Sequence, residues 1–179
     1  HSMGGVIAQQ LALEAPARVR SLTLLCTFFR GRDGSRLPPA LMLRTLVAYA
    51  RGRAARRQAF LELVMPQRAL RGGDRAALAA ELGAVFERDL ADQPPIVMAQ
   101  LRALSRSDLS RRLGQLAPIP TLVVSAAEDP IARPASGRAL AAAIPGARYL
   151  ELADAGHAVP VHDAARVNEL LARHFAAAP

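Results

Sequence analysis

A chain of 179 residues, 51% hydrophobic and 21% charged, is long enough to bury a sizeable core and too apolar to stay disordered. All 23 basic residues are arginine, which excludes a Walker-type phosphate loop, a pyridoxal Schiff base and a lysine general base from this chain. The net charge of +8 is confined to the middle: residues 30–112 hold 16 arginines against 8 acids, the remainder 7 against 7.

These arginines recur at helical spacing with few aromatics between them, the pattern of a solvated helical surface rather than of a nucleic-acid interface. No nucleic-acid partner is expected, and no apolar run approaches the roughly 20 residues needed to span a bilayer. A cytoplasmic location is expected. The single cysteine, Cys26, lies in the apolar run LTLLCTFF and reads as a buried, inert thiol.

The sequence opens HSMGGVIAQQLALEA, with apolar side chains at Val6, Ile7, Leu11 and Leu13 that predict a helix over 3–15, closed by Pro16. VRSLTLLCTFF, residues 19–29, follows as a short, nearly all-apolar run suited to a strand buried on both faces of a parallel sheet. Residues 30–115 show no strand pattern. GRDGSRLPP reads as a loop, LMLRTLVAYARGRAARRQAFLELVMP as one or two helices, and RGGD as a break. RAALAAELGAVFERDLADQ, PPIVMAQLRALS and SDLSRRLGQLAP complete this stretch. Two further strands are predicted at PTLVVSA (120–126) and ARYLEL (147–152), each followed by an amphipathic helix, SGRALAAAIPG and DAARVNELLARHF. Strands alternating with helices imply an α/β fold with a parallel sheet. The expected division is a core of residues 1–29 and 116–179, with residues 30–115 as an all-helical cap or lid over a pocket.

Three residues stand where chemistry is expected. Ser2 precedes a helix in the pattern x-S-x-G, half of a nucleophile elbow; Gly4 supplies the small residue after the serine. Asp129 lies just past the carboxyl end of PTLVVSA, where parallel sheets place functional groups, with Glu128 beside it as a possible substitute. His157, in ADAGHAVP, occupies a loop after the last strand, with Gly156 permitting a tight turn. Of the other histidines, His162 and His174 fall at the start and within the final helix, and His1 adjoins the serine.

The order Ser, Asp, His, each after a strand-like element, resembles the α/β-hydrolase superfamily over most of the chain. HSMGGVIAQQLALEAPARVRSLTLLCT is similar to its elbow, following helix and sixth strand. IPTLVVSAAEDPIARP is similar to the seventh strand and acid loop, with Ala126 in place of a usual glycine. GARYLELADAGHAVPVHDAARVNELLARHF is similar to the eighth strand, histidine loop and last helix, and the insertion falls where that family carries its helical cap. The resemblance implies acyl transfer. Ser2 would attack a carbonyl, His157 would shuttle the proton, Asp129 would hold the imidazolium, and the Met3 backbone N–H would form half an oxyanion hole. It implies no cofactor and no metal, and a small, fairly apolar ester, lactone or thioester as substrate.

The same resemblance implies that the chain is the C-terminal part of a longer fold, strands six to eight, inactive alone and prone to self-association through an exposed sheet edge. Three alternatives stand beside the hydrolase: HSM as a cloning scar, a non-catalytic interaction domain, and a cofactor-free haloperoxidase using the same triad. Leu43, Leu46, Tyr49, Phe60, Met65, Phe86 and Met98 are the candidate pocket residues of the insertion, though most are expected to be core.

Overall fold

The computed structural model describes residues 1–35 and 38–178. Helix α1 (Ser2–Glu14) leads through a 3-10 turn at Pro16–Arg18 into strand β1 (Leu22–Leu25). Helices α2 (Gly31–Ser35), α3 (Pro39–Ala50), α4 (Arg53–Val64), α5 (Gln67–Gly72), α6 (Arg75–Phe86) and α7 (Ile96–Ser105) follow, with a 3-10 turn at Leu113–Leu116. The chain then alternates through β2 (Thr121–Ala126), α8 (Pro134–Ala143), β3 (Arg148–Leu152), α9 (Val159–His162) and α10 (Ala164–Ala176).

The three strands form one parallel sheet in the order β1-β2-β3, with Leu24 opposite Val123 and Val124 opposite Leu150. All six residues of β2 are buried, as a central strand covered on both faces requires. β1 is shorter than the apolar run that predicted it. Cys26, immediately after it, takes φ 46°, a left-handed conformation that ends the extended ladder, and Phe28 and Phe29 are buried without joining the sheet.

α1 meets the sheet through a stripe that only partly matches the predicted one. Val6 is buried and Leu13 packs against the core, but Ile7 and Leu11 are exposed while Gly5, Gln9 and Ala12 are buried. The reason is steric: a Cβ on Gly5 would lie 2.5 Å from Thr27 Oγ1, so a small-residue stripe lets the helix sit close to the segment after β1. Buried Gln9 then bonds across this contact, its Nε2 donating to the carbonyls of Gly5 and Phe28, each at 3.0 Å.

Residues 39–64 form two helices, not one, because Gly52 at φ 94° breaks the run in a backbone conformation that suits glycine. The predicted loop GRDGSRLPP begins instead as the short α2; its Arg36 and Leu37 lie outside the described residues. SDLSRRLGQLAP contributes turns and one 3-10 turn, not a helix of normal length. Among the described residues between β1 and β2 there is no strand, only an isolated bridge between Arg30 and Asp108.

Packing divides the buried side chains into two clusters. The larger spans the sheet, α1 and the last helices, and takes in Leu104, Leu109 and Leu113. The smaller is built by Leu61, Val64, Met65, Leu70, Leu82 and Leu90 from α4–α6 and the segment after them, and is closed by Ala158 from the loop ahead of α9. That loop lies where the two clusters meet.

Candidate active site

Three chain segments converge at the carboxyl ends of the strands. Ser2 begins α1 with φ 51°, a left-handed value that costs a non-glycine residue roughly 1–3 kcal/mol and persists only where the surroundings enforce it. Here Thr27 Oγ1 donates to the Ser2 carbonyl at 2.6 Å, and the Gly5 N–H donates to the His1 carbonyl at 3.2 Å. Relief of crowding falls on Gly5; a Cβ on Gly4, the position singled out from sequence, would meet nothing within 4 Å among the described residues.

Asp129 is 2% exposed, yet each carboxylate oxygen has partners. Oδ1 accepts from the backbone N–H groups of Ile131 at 2.8 Å and Ala132 at 2.9 Å, while Oδ2 lies 2.7 Å from His157 Nδ1. Neighbouring Glu128 turns away from the histidine and accepts from the Gln67 N–H at 2.7 Å, at the start of α5.

His157 completes the line, with Nε2 3.0 Å from Ser2 Oγ. An ionised carboxylate only accepts hydrogen bonds, so Nδ1 carries the proton in this pair. In the neutral imidazole Nε2 is then an acceptor, and the Ser2 hydroxyl donates to it. Proton transfer from oxygen to nitrogen along this bond is therefore geometrically available. His157 is held from behind as well: His1 Nε2 donates to its carbonyl at 2.9 Å, and the two imidazoles lie 4.7 Å apart.

Gly156 serves close approach rather than a left-handed turn. A Cβ there would meet Val64 O at 2.6 Å, Met65 C at 2.9 Å and Pro66 N at 2.9 Å. The Ala158 N–H donates to that same Val64 carbonyl at 2.9 Å, so the histidine loop is bound directly to the end of α4.

α1 has no side-chain cap at its N-terminus, which leaves the Met3 amide among first-turn N–H groups without a side-chain partner. Beside Ser2 and His157 opens a cavity of about 630 Å³, within the range of small-molecule sites. Its apolar wall includes Phe60, Leu63, Val85, Phe86, Ile131 and Val161. The rings of Phe60 and Phe86 pack edge to face at 6.1 Å.

Of the predicted pocket residues only Phe60 and Phe86 line this cavity. Met65 is buried in the smaller core cluster, Tyr49 stacks under the Arg56 guanidinium, and Leu43, Leu46 and Met98 are 59–69% exposed. Periodicity identifies an apolar helix face without saying which element covers it. Thr27, Gln9 and Ile131 also support the site and escaped sequence reading; a glutamine among the apolar positions of α1 was the one available signal.

Cys26 is fully buried, and burial, followed by the nearby Asp129 charge, pushes its thiol above the ordinary range. His174 is buried in α10, and half-buried His162 ends α9, just ahead of α10, with its pKa lowered by burial.

The model of the alpha/beta hydrolase fold matches residues 1–163. The chain belongs to the α/β-hydrolase fold family. The candidate carbamate hydrolase RutD of Klebsiella pneumoniae strain 342 is 31% identical over 177 residues, covering 99% of this chain and 64% of that protein. Rv0554 from Mycobacterium tuberculosis superposes with a TM-score of 0.77 at 27% identity, over 99% of this chain and 64% of its own. An enol-lactonase from Burkholderia xenovorans LB400 does so with a TM-score of 0.72 at 27% identity, over 98% and 63%. The chain thus spans just under two thirds of the length of these relatives. No helix among the described residues is long and apolar enough to cross a membrane.

Proposed function

We propose that this α/β-hydrolase family member catalyses hydrolytic acyl transfer, with Ser2 as nucleophile, His157 as general base and then acid, and Asp129 as the group that orients the imidazole. The observation that carries this reading is the continuous line of bonds from Asp129 Oδ2 to His157 at 2.7 Å and from His157 to Ser2 Oγ at 3.0 Å. Removing the Ser2 proton creates the alkoxide that attacks a carbonyl carbon. The proton held on His157 then passes to the leaving group, and water repeats the cycle on the acyl-serine. The Met3 N–H serves as one oxyanion donor, worth on the order of a hundredfold in rate. Helices α3–α6 act as the cap of the cavity, and its apolar wall favours a small, largely apolar ester, lactone or thioester. Names of relatives that include a carbamate hydrolase and an enol-lactonase agree with attack at an activated carbonyl.

The test is fluorophosphonate treatment of the native-source protein, with peptide mapping of the adduct. Phosphonylation of Ser2, lost in the Ser2→Ala variant together with hydrolysis of short p-nitrophenyl esters, is the expected result. An unlabelled Ser2 in folded protein refutes the assignment.

A further inference from the structure

The cavity beside Ser2 holds one formally charged side chain among its described lining residues, Arg88, and no acid faces it there. Arg88 owes its position to the end of α6. Glu87 adopts a left-handed conformation at φ 52°, and the Arg88 N–H donates back to the Gly83 carbonyl at 3.1 Å, which folds the chain sharply off the helix axis. The guanidinium then lies 5.8 Å from the centre of the Phe86 ring and donates to the Asp92 carbonyl.

Its neighbours are treated differently. Arg44, Arg53, Arg57, Arg68 and Arg75, all from α3–α6, each have a carboxylate partner: Glu62, Asp89 and Asp92, Asp89, Asp154 and Asp163, and Glu62 respectively. Arg51 and Arg71 are exposed to solvent, and half-buried Arg56, which also has no carboxylate partner among the described residues, donates to the Tyr49 carbonyl and stacks on that residue's ring, away from this cavity. Arg88 is half-buried at an apolar wall, and among the described residues no carboxylate pairs with it. A guanidinium in such a place has donors to spare and a field that water screens poorly, so it favours an anion from the cavity side.

We infer that Arg88 is a specificity residue and that the substrate is a carbonyl compound bearing a carboxylate, separated from the reacting carbonyl by an apolar segment that fills the cavity. This rests on the hydrolase reading for the identity of the reacting end, but the carboxylate end is separable from it. Arg88 binds; it takes no part in the chemical step.

The experiment compares two ligands alike except for one charge, monomethyl adipate and dimethyl adipate. Their binding is measured by calorimetry on the Ser2→Ala protein, where turnover cannot intrude, and on the same protein with Arg88→Gln or Arg88→Lys. The monoester is expected to bind at least about tenfold more tightly than the diester, in keeping with a charge-assisted bond to a carboxylate. Arg88→Gln should erase that preference while leaving diester affinity unchanged, which also reports that the cavity is intact. Arg88→Lys should keep part of it. Equal binding of the two esters, no binding of the monoester, or a preference that survives Arg88→Gln overturns the inference. Wild-type protein is assayed alongside: a binding preference without hydrolysis of either ester would sink the hydrolase reading and leave the anion site standing.

Discussion

The candidate site and the α3–α6 region solve the problem of charge in opposite ways. At the site, the one carboxylate buried among the described residues, Asp129, is enclosed and every contact it makes is directional. In α3–α6, charge is abundant and lies at the surface, where Arg53 and Arg57 both clasp Asp89, and Arg53 also reaches Asp92 at 2.7 Å. The first arrangement fixes atoms to within a hydrogen bond. The second joins helices that share only a small apolar cluster, and solvent screens it. Position is therefore strictly set where bonds would be made and broken, and loosely set where a substrate would be recognised. Hydrogen bonds involving the backbone connect the regimes, among them the Gln67 N–H to Glu128, the Ala158 N–H to the Val64 carbonyl and Arg68 Nε to the Asp154 carbonyl.

The sharpest way to break this contrast is at the buried carboxylate. Asp129→Asn keeps an acceptor for the Ile131 and Ala132 amides but no longer selects the tautomer of His157 that can accept from Ser2. The expected loss in kcat is on the order of 10⁴-fold with the fold retained. Ester hydrolysis within tenfold of wild type would hand the orienting role to Glu128 instead. Glu128→Gln is expected to leave kcat nearly unchanged.

Substituting Gly156 probes the seam. In Gly156→Ala the new methyl meets the backbone of Val64, Met65 and Pro66, none of which can rotate away. Overpacking of this kind costs about 1–3 kcal/mol, and because α4 is displaced with the histidine loop, KM should rise as well. Thermal unfolding at the wild-type temperature would show the seam to be softer than its distances imply.

A smaller effect comes from His162. Burial lowers its pKa below the ordinary 6.5, with Asp163 and Asp154 opposing and Arg68 reinforcing the shift. Below pH of about 6.5 the unfolded chain gains a proton that the folded one resists, so this contribution is present above that pH and fades beneath it. His162→Gln should flatten the fall in Tm between pH 7.5 and 5.5. An unchanged slope would assign acid sensitivity elsewhere.

The smallest change is expected at the charged clasp. The arginines hold Asp89 well below the usual carboxylate range, yet the group is still partly open to water. Asp89→Ala should lower Tm by no more than about 4 °C, and less at 0.5 M salt. A larger, salt-insensitive drop would mean that α4 and the segment after α6 depend on this pair more than on Leu61, Leu82 and Leu90.

Much of this was open to reading from residue order alone. The parallel sheet followed from three short apolar runs separated by helical patterns, and the candidates Asp129 and His157 from their places just beyond such runs, Ser2 from the x-S-x-G pattern ahead of a helix. What stayed hidden were facts about neighbours distant in the chain. Gly5, not Gly4, is the crowded glycine because Thr27 lies against it. Gly156 answers to the backbone of residues 64–66, and Ile7 is exposed while Gln9 is buried.

Local periodicity and turn chemistry act over a few residues, so the sequence by itself determined which segments become strands and helices and which side chains are the candidates for chemistry. Which face of each helix is covered, which aromatic residues reach the cavity and which arginine lines it were decided only by the tertiary structure. Those outcomes depend on close packing between segments far apart in sequence, where a difference of one methyl group or one carboxylate selects the partner.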